Sequence, residues 1–94
     1  MAQTAPNKHT ILRRKQVQAE TGYSRSTIYL RISQGLFVHP VSLGARAVGF
    51  PAEEVSALNA ARIAGKSDLE IKALVKKLEL ARGIVESISP ALGE

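Results

Sequence analysis

The sequence contains no cysteine and no tryptophan, and its aromatic residues are two tyrosines and two phenylalanines. Without thiols, disulfide staples and thiolate metal sites are excluded, and their absence fits a reducing cytosol. No apolar run approaches the roughly 18 residues that a membrane-spanning helix needs. The start of the chain, Met1 to His9, lacks the apolar stretch of a secretory signal. The expected compartment is therefore the cytoplasm, with no membrane partner. His9 and His39 are the only histidines, far apart and without an acidic neighbour in sequence, so neither a metal nor a cofactor is expected. No nucleophile–base spacing, glycine-rich phosphate loop or catalytic carboxylate pair stands in the chain, and no enzyme is expected. Glu53 and Glu54 read as charges that favour the positive end of a helix.

Acid is scarce in one half only. Residues 1–50 carry Lys8, Arg13, Arg14, Lys15, Arg25, Arg31 and Arg46 against Glu20 alone, whereas residues 51–94 carry six basic and seven acidic side chains. Those halves, +6 and −1, sum to the net charge of +5. Seven cations gathered in one half repel one another unless they face a polyanion, so the basic half points to a nucleic acid.

A chain of 94 residues allows one domain and a short appendage. Residues 1–10 show no periodicity and read as a flexible tail. Ile11-Leu12 enters the core as a strand or as a segment leading into a helix. Lys15 to Thr21 predicts a short helix with Val17 and Thr21 inward, stopped by Gly22. Ser24 is suited to cap a second helix over Arg25 to Gln34, whose Ile28 and Ile32 lie one turn apart and whose end is marked by Gly35. Leu36 and Phe37 return to the core. Apolar residues at 41–43 and 47–50 flank Gly44-Ala45-Arg46 and predict a hairpin. Pro51 belongs to the first turn of a third helix, with Val55, Leu58, Arg62 and Ile63 continuing its phase to about Ala64. Ser67-Asp68-Leu69-Glu70 is a capping box. The helix it opens is expected to be firm to Arg82 and to fade by about Ile88, with Gly83 weakening it and Pro90 preventing much beyond.

Lys15 to Thr21, the corner Gly22-Tyr23-Ser24 and the helix from Arg25 form a helix-turn-helix pattern. Glycine permits the corner, Tyr23 plugs the angle between the helices, Ser24 caps the second helix, and Ile28 and Ile32 hold it down. Its capped start is then presented outward to a major groove. The string Thr21 to Tyr29, with Ile11 to Lys15, Gly35-Leu36-Phe37, Pro40 to Phe50 and Glu53-Glu54-Val55, resembles the AlpA family. The resemblance covers residues 11–64, and Asn59 to Arg82 is similar to a C-terminal extension of some members. It implies a mainly α fold with a small β-hairpin: a winged helix-turn-helix akin to the MerR and excisionase domains, plus a C-terminal helix. Residues 11–64 would form the DNA-binding domain and residues 65–94 a helical extension and tail. It also implies a transcriptional regulator of a prophage or integrative element. The alternative is a recombination directionality factor that bends attachment-site DNA for an integrase. This chain has Val38-His39-Pro40 where the family commonly has a cation between prolines, and Leu30 where a polar residue is frequent.

A projection at about 100° per residue sets Ser26, Tyr29, Leu30, Ser33 and Gln34 away from Ile28 and Ile32. These five are the candidate base contacts, with Gln34 suited to adenine and Leu30 to a thymine methyl. Arg25 and Arg31 flank the row and suit phosphates, as do Ser24 and Thr27 at the helix start. Arg13, Arg14 and Lys15 oppose the dipole of the first helix, a local cost that points to a use on phosphate. Arg46 at the hairpin tip would reach backbone or a narrow minor groove.

Ile71, Leu74, Leu78, Ala81, Val85 and Ile88 follow a heptad spacing. Either this stripe docks on the body of the domain or it makes a homo-oligomer, as a dimer or as a head-to-tail cooperative assembly on DNA, with Glu70, Lys72, Lys76, Lys77, Glu79 and Arg82 on the outer face. A protein-interaction module that uses its helices on another chain is the competing class. It would not need the basic N-terminal half, and its binding would be insensitive to salt.

Overall fold

Gly22 and Ser24 decide where the first helix stops and the second begins. The structure, a computed structural model, describes residues 9–93, with side-chain surroundings described for residues 9–83. Its elements are β1 (Ile11–Leu12), α1 (Arg14–Thr21), α2 (Arg25–Ser33), β2 (Val41–Gly44), β3 (Ala47–Pro51), α3 (Ala52–Ile63) and α4 (Asp68–Gly93). Gly22 takes a left-handed conformation with φ 79°, and its amide donates to the Gln18 carbonyl at 2.8 Å. A side chain there would strain the backbone, which is why glycine ends this helix. At the other end of α1, the Arg13 amide donates to the Gln16 side chain at 2.8 Å. Ser24 Oγ then accepts the Thr27 amide at 3.2 Å and opens α2.

β3 is the middle strand of an antiparallel sheet ordered β1-β3-β2. Ile11 pairs with Pro51 and Leu12 with Phe50, so Ile11-Leu12 is a strand and not a lead-in to a helix. On the other side Val41 pairs with Gly49 and Ser42 with Val48, and the extra residue Leu43 makes an irregularity before Gly44 pairs with Ala47. Such a bulge raises the local twist of a two-stranded wing. Ala45 and Arg46 form the turn at its tip. The described residues are thus mainly helical with one small sheet, a winged helix-turn-helix with an added helix.

Val17, Ile28, Phe37, Val38, Phe50 and Val55 are fully buried and form one cluster with Leu36, Leu58, Ala61, Ile71 and Val75. Leu12, Tyr23, Ile32, Leu74 and Leu78 pack around it. One helix from each part of the chain therefore contributes to a shared floor. Asn59 of α3 reaches across to donate to the Glu20 carbonyl at 2.9 Å, satisfying an acceptor at the end of α1.

Several expectations are corrected. Pro51 caps α3 from outside and Ala52 is the first helical residue, its amide donating to Thr10. The inward face of α3 is Glu54, Val55, Leu58 and Ala61, whereas Ile63 is 86% exposed. In α4, Ile71, Leu74 and Leu78 do pack on the chain's own core, but Val75 joins them and Ala81 is exposed. The side chains of Val85 and Ile88 lie outside the described residues. Pro90 does not end α4, which runs to Gly93. A proline inside a helix removes one amide donor and crowds the carbonyl four residues back, which weakens a long helix without breaking its hydrogen bonds elsewhere. The capping box at the start of α4 is present: Ser67 donates its amide to Glu70 Oε1 at 2.8 Å, and Glu70 returns its own to Ser67 Oγ at 3.2 Å.

Candidate nucleic-acid interface

Ile28 fixes which side of α2 looks out. Because it is fully buried, residues half a turn away must face solvent, and Ser26, Tyr29, Leu30, Ser33 and Gln34 are all exposed. Leu30 is 53% exposed and adds an apolar contact to an otherwise polar row. At the start of the helix Ser24 Oγ lies 3.3 Å from Ser26 Oγ and donates to Thr27 Oγ1 at 2.9 Å. The hydroxyls of Ser24, Ser26 and Thr27 thus cluster at the positive end of the helix. That is a polar, electropositive tip suited to a phosphate or an acceptor edge.

The far end of α2 is organised by an aromatic residue. Tyr23, in the corner, is half-buried and meets Phe37 edge-on with ring centres 6.2 Å apart. The Arg31 guanidinium stands over the Tyr23 ring at 5.8 Å and donates to Gln34 Oε1 at 3.4 Å. Arg31 is therefore half-buried and partly engaged, its Nε turned inward without a partner among the described residues. By holding the oxygen of Gln34 it leaves the amide nitrogen outward. Ser33 Oγ donates to the Leu30 carbonyl at 2.7 Å.

The sheet brings the remaining candidates together. β1 is antiparallel to β3, so it runs toward the hairpin tip. Arg13, the next residue, leaves the sheet beside Gly49, and Arg46 lies three residues further along that direction, about 10 Å at strand rise. The basic start of α1 and the wing tip hence share one end of the sheet. Arg13, Lys15, Arg25 and Arg46 are exposed and Arg14 half-buried, with its Nε turned inward. Arg46 has φ 63°, a left-handed conformation that costs a side-chain-bearing residue of the order of 1 kcal/mol and that glycine adopts freely.

Three features escaped sequence reasoning. Glu54 is not merely a favourable charge at a helix start. It is buried and held by two bonds from Arg82, from Nε at 2.9 Å and from Nη2 at 2.6 Å. Arg82 accordingly points inward and also donates to the His39 carbonyl at 2.8 Å. Its bond to Glu54 raises its pKa further. His39 does have an acidic partner: Glu79 Oε2 accepts its amide at 2.8 Å and lies 3.0 Å from its Nδ1. Burial alone would raise the Glu79 carboxyl, but the His39 hydrogen bonds outweigh it and hold it below its usual range. The signal was the phase of α4: Arg82 falls in line with Ile71, Val75 and Leu78.

Among the described residues no group of three or more histidine, cysteine, aspartate or glutamate side chains could hold a metal, and no helix is long and apolar enough to cross a membrane. The family described as prophage CP4-57 regulatory protein (AlpA) matches residues 10–62, more than half of the chain and the whole span from β1 to the last turn of α3. The chain belongs to the AlpA family. As an AlpA-family protein it takes the family's general role, that of a DNA-binding, non-catalytic regulator. No curated protein and no solved structure matches it. The AlpA match ends before α4, so the clamp of Arg82, Glu54, His39 and Glu79 joins a segment outside the match to one inside it.

Proposed function

We propose that this protein reads double-stranded DNA in a sequence-specific way as a transcriptional regulator of a prophage or integrative element. In this reading α2 enters the major groove and the wing grips the adjoining backbone. The observation that carries it is the exposed row Ser26, Tyr29, Leu30, Ser33 and Gln34 on a helix whose opposite side is anchored by Ile28. Arg46 supports it: a guanidinium kept at a left-handed turn position, where glycine would cost less, is a guanidinium with a use. Arg13, Arg14, Lys15, Ser24, Arg25, Thr27 and Arg31 would hold phosphates around the groove.

Base preference tests the assignment. Ser26→Ala or Gln34→Ala should change the preference at one base pair by roughly 1–3 kcal/mol, whereas Arg14→Ala or Arg46→Ala should weaken all sequences nearly equally. Selection of binding sites from a random duplex pool, repeated with each variant, reads this directly. Four variants with the same base preference would mean that another element lies in the groove. A directionality factor would use the same surface and also bend the duplex, which a circular-permutation assay measures.

A further inference from the structure

Charge counted by halves of the sequence puts the net positive charge in residues 1–50, yet the fold returns lysine from the second half to the segment that follows α2. Lys72, Lys76 and Glu79 sit at spacings of four and three along α4 and share one flank of that helix. This flank faces the segment that leaves α2. A methyl group placed on Gly35 would stand 3.8 Å from Lys72 Cγ, and Glu79 holds His39 at 2.8 Å. The stem of Lys72 therefore lies over the residue that follows Gln34, the last of the candidate base contacts.

Cations outnumber carboxylates on this flank. Lys72 and Lys76 are exposed and form no ion pair among the described residues. Two carboxylates within reach along the helix are already committed. Asp68, four residues before Lys72, pairs with Arg62 at 3.3 Å, and Glu79, three residues after Lys76, is bonded to His39. Lys72 beside the end of α2, with Lys76 one turn further along α4, offers two ammonium groups to any phosphates that pass there.

Resting on the reading of α2 as the groove helix, we infer that Lys72 and Lys76 bind DNA phosphates and extend the interface past the C-terminal end of α2. The competing role for Lys72 is purely structural, a positive charge near the carbonyl end of α2. The two roles differ in their salt dependence, because each phosphate neutralised on duplex DNA adds about 0.9 to the slope of log K against log salt. Lys77, about 140° round α4 from Lys72, serves as the control.

The test uses the full chain and a short mixed-sequence duplex, titrated by fluorescence anisotropy over a range of salt. Replacing Lys72 and Lys76 together by Ala should weaken binding to every sequence and make the slope shallower by about 1.8, with unchanged base preference and unchanged thermal midpoint. The corresponding double Arg variant should keep the parent slope, and Lys77→Ala should leave it unaltered. A parent slope in the double Ala variant, with a lowered thermal midpoint, would assign these lysines to stability alone. An equal loss from Lys77→Ala would reduce the effect to diffuse charge and overturn the contact. If the unmodified chain fails to bind duplex at low salt, the groove assignment of α2 falls first and the lysine contacts with it.

Discussion

At Gly49 the sheet leaves no room for a side chain. A Cβ there would run into the Ile11 side chain and stand 3.1 Å from both the Leu12 carbonyl and Leu43 Cδ1. Ile11 and Leu43 close over the glycine from the two outer strands, which lets the three-stranded sheet pack with little area. Gly49→Ala should therefore cost about 1–3 kcal/mol through displacement of β1, read as a lower urea midpoint. An unchanged midpoint would show that β1 yields freely. Single residues were legible in the sequence where their partners are local. Gly22 and Ser24 act within four residues of themselves, and their roles as stop and cap follow from chemistry alone. Glu54 was not legible, because its meaning depends on Arg82, 28 residues away. Ile63 was misassigned for a related reason. On α3 the inward arc after Leu58 passes through Ala61, and a large apolar residue near the end of the helix drew the phase away from a small one.

The four helices and the hairpin were legible in order, the third strand was not settled, and the helices were less legible in phase. The stripe on α4 was drawn with a 3.5-residue repeat, which suits a supercoiled seam. On a straight helix Ile71, Val75, Leu78 and Arg82 stay on one line, whereas Ala81 lies about 100° round the helix from Arg82 and turns outward. The helix meets the body through Ile71, Val75 and Leu78 and ends that contact on an ion pair. Arg82→Met would leave Glu54 buried without a counter-charge. On the order of 2–4 kcal/mol should be lost, discounted from the value for a fully buried pair because the Arg82 side chain is 24% exposed. Combining it with Glu54→Leu should recover much of that loss in a denaturant titration. A double variant as unstable as the single would mean that the bond of Arg82 to His39 matters more. Glu79 adds a pH dependence to the same contact. Its folded pKa is depressed, so its contribution is complete above the ordinary carboxylate range and is lost as pH falls through the depressed value. The thermal midpoint should drop on acidification, and Glu79→Gln should drop less steeply over that interval. Parallel curves would remove Glu79 from the account.

On the scale of the whole molecule, the basic character of residues 1–50 and the helix-turn-helix with its wing were readable, because both rest on contiguous stretches. The placement of α4 was not, since only the fold brings Lys72 beside Gly35 and Glu79 beside His39. The floor beneath α2 has an order of assembly built into it. Ile28 shares its burial with Phe50 of the wing and with Ile71 and Val75 of the last helix, and β1 finds its hydrogen-bonding partner only in residues 50 and 51. A chain made from its N-terminus has therefore synthesised α2 long before the surfaces that hold it exist. A nascent or truncated copy stopping short of Val75 would carry the proposed base contacts on a helix with an incomplete seat, too short to persist alone. Competence to occupy an operator should then arise late and all at once, so that unfinished copies do not compete for the site.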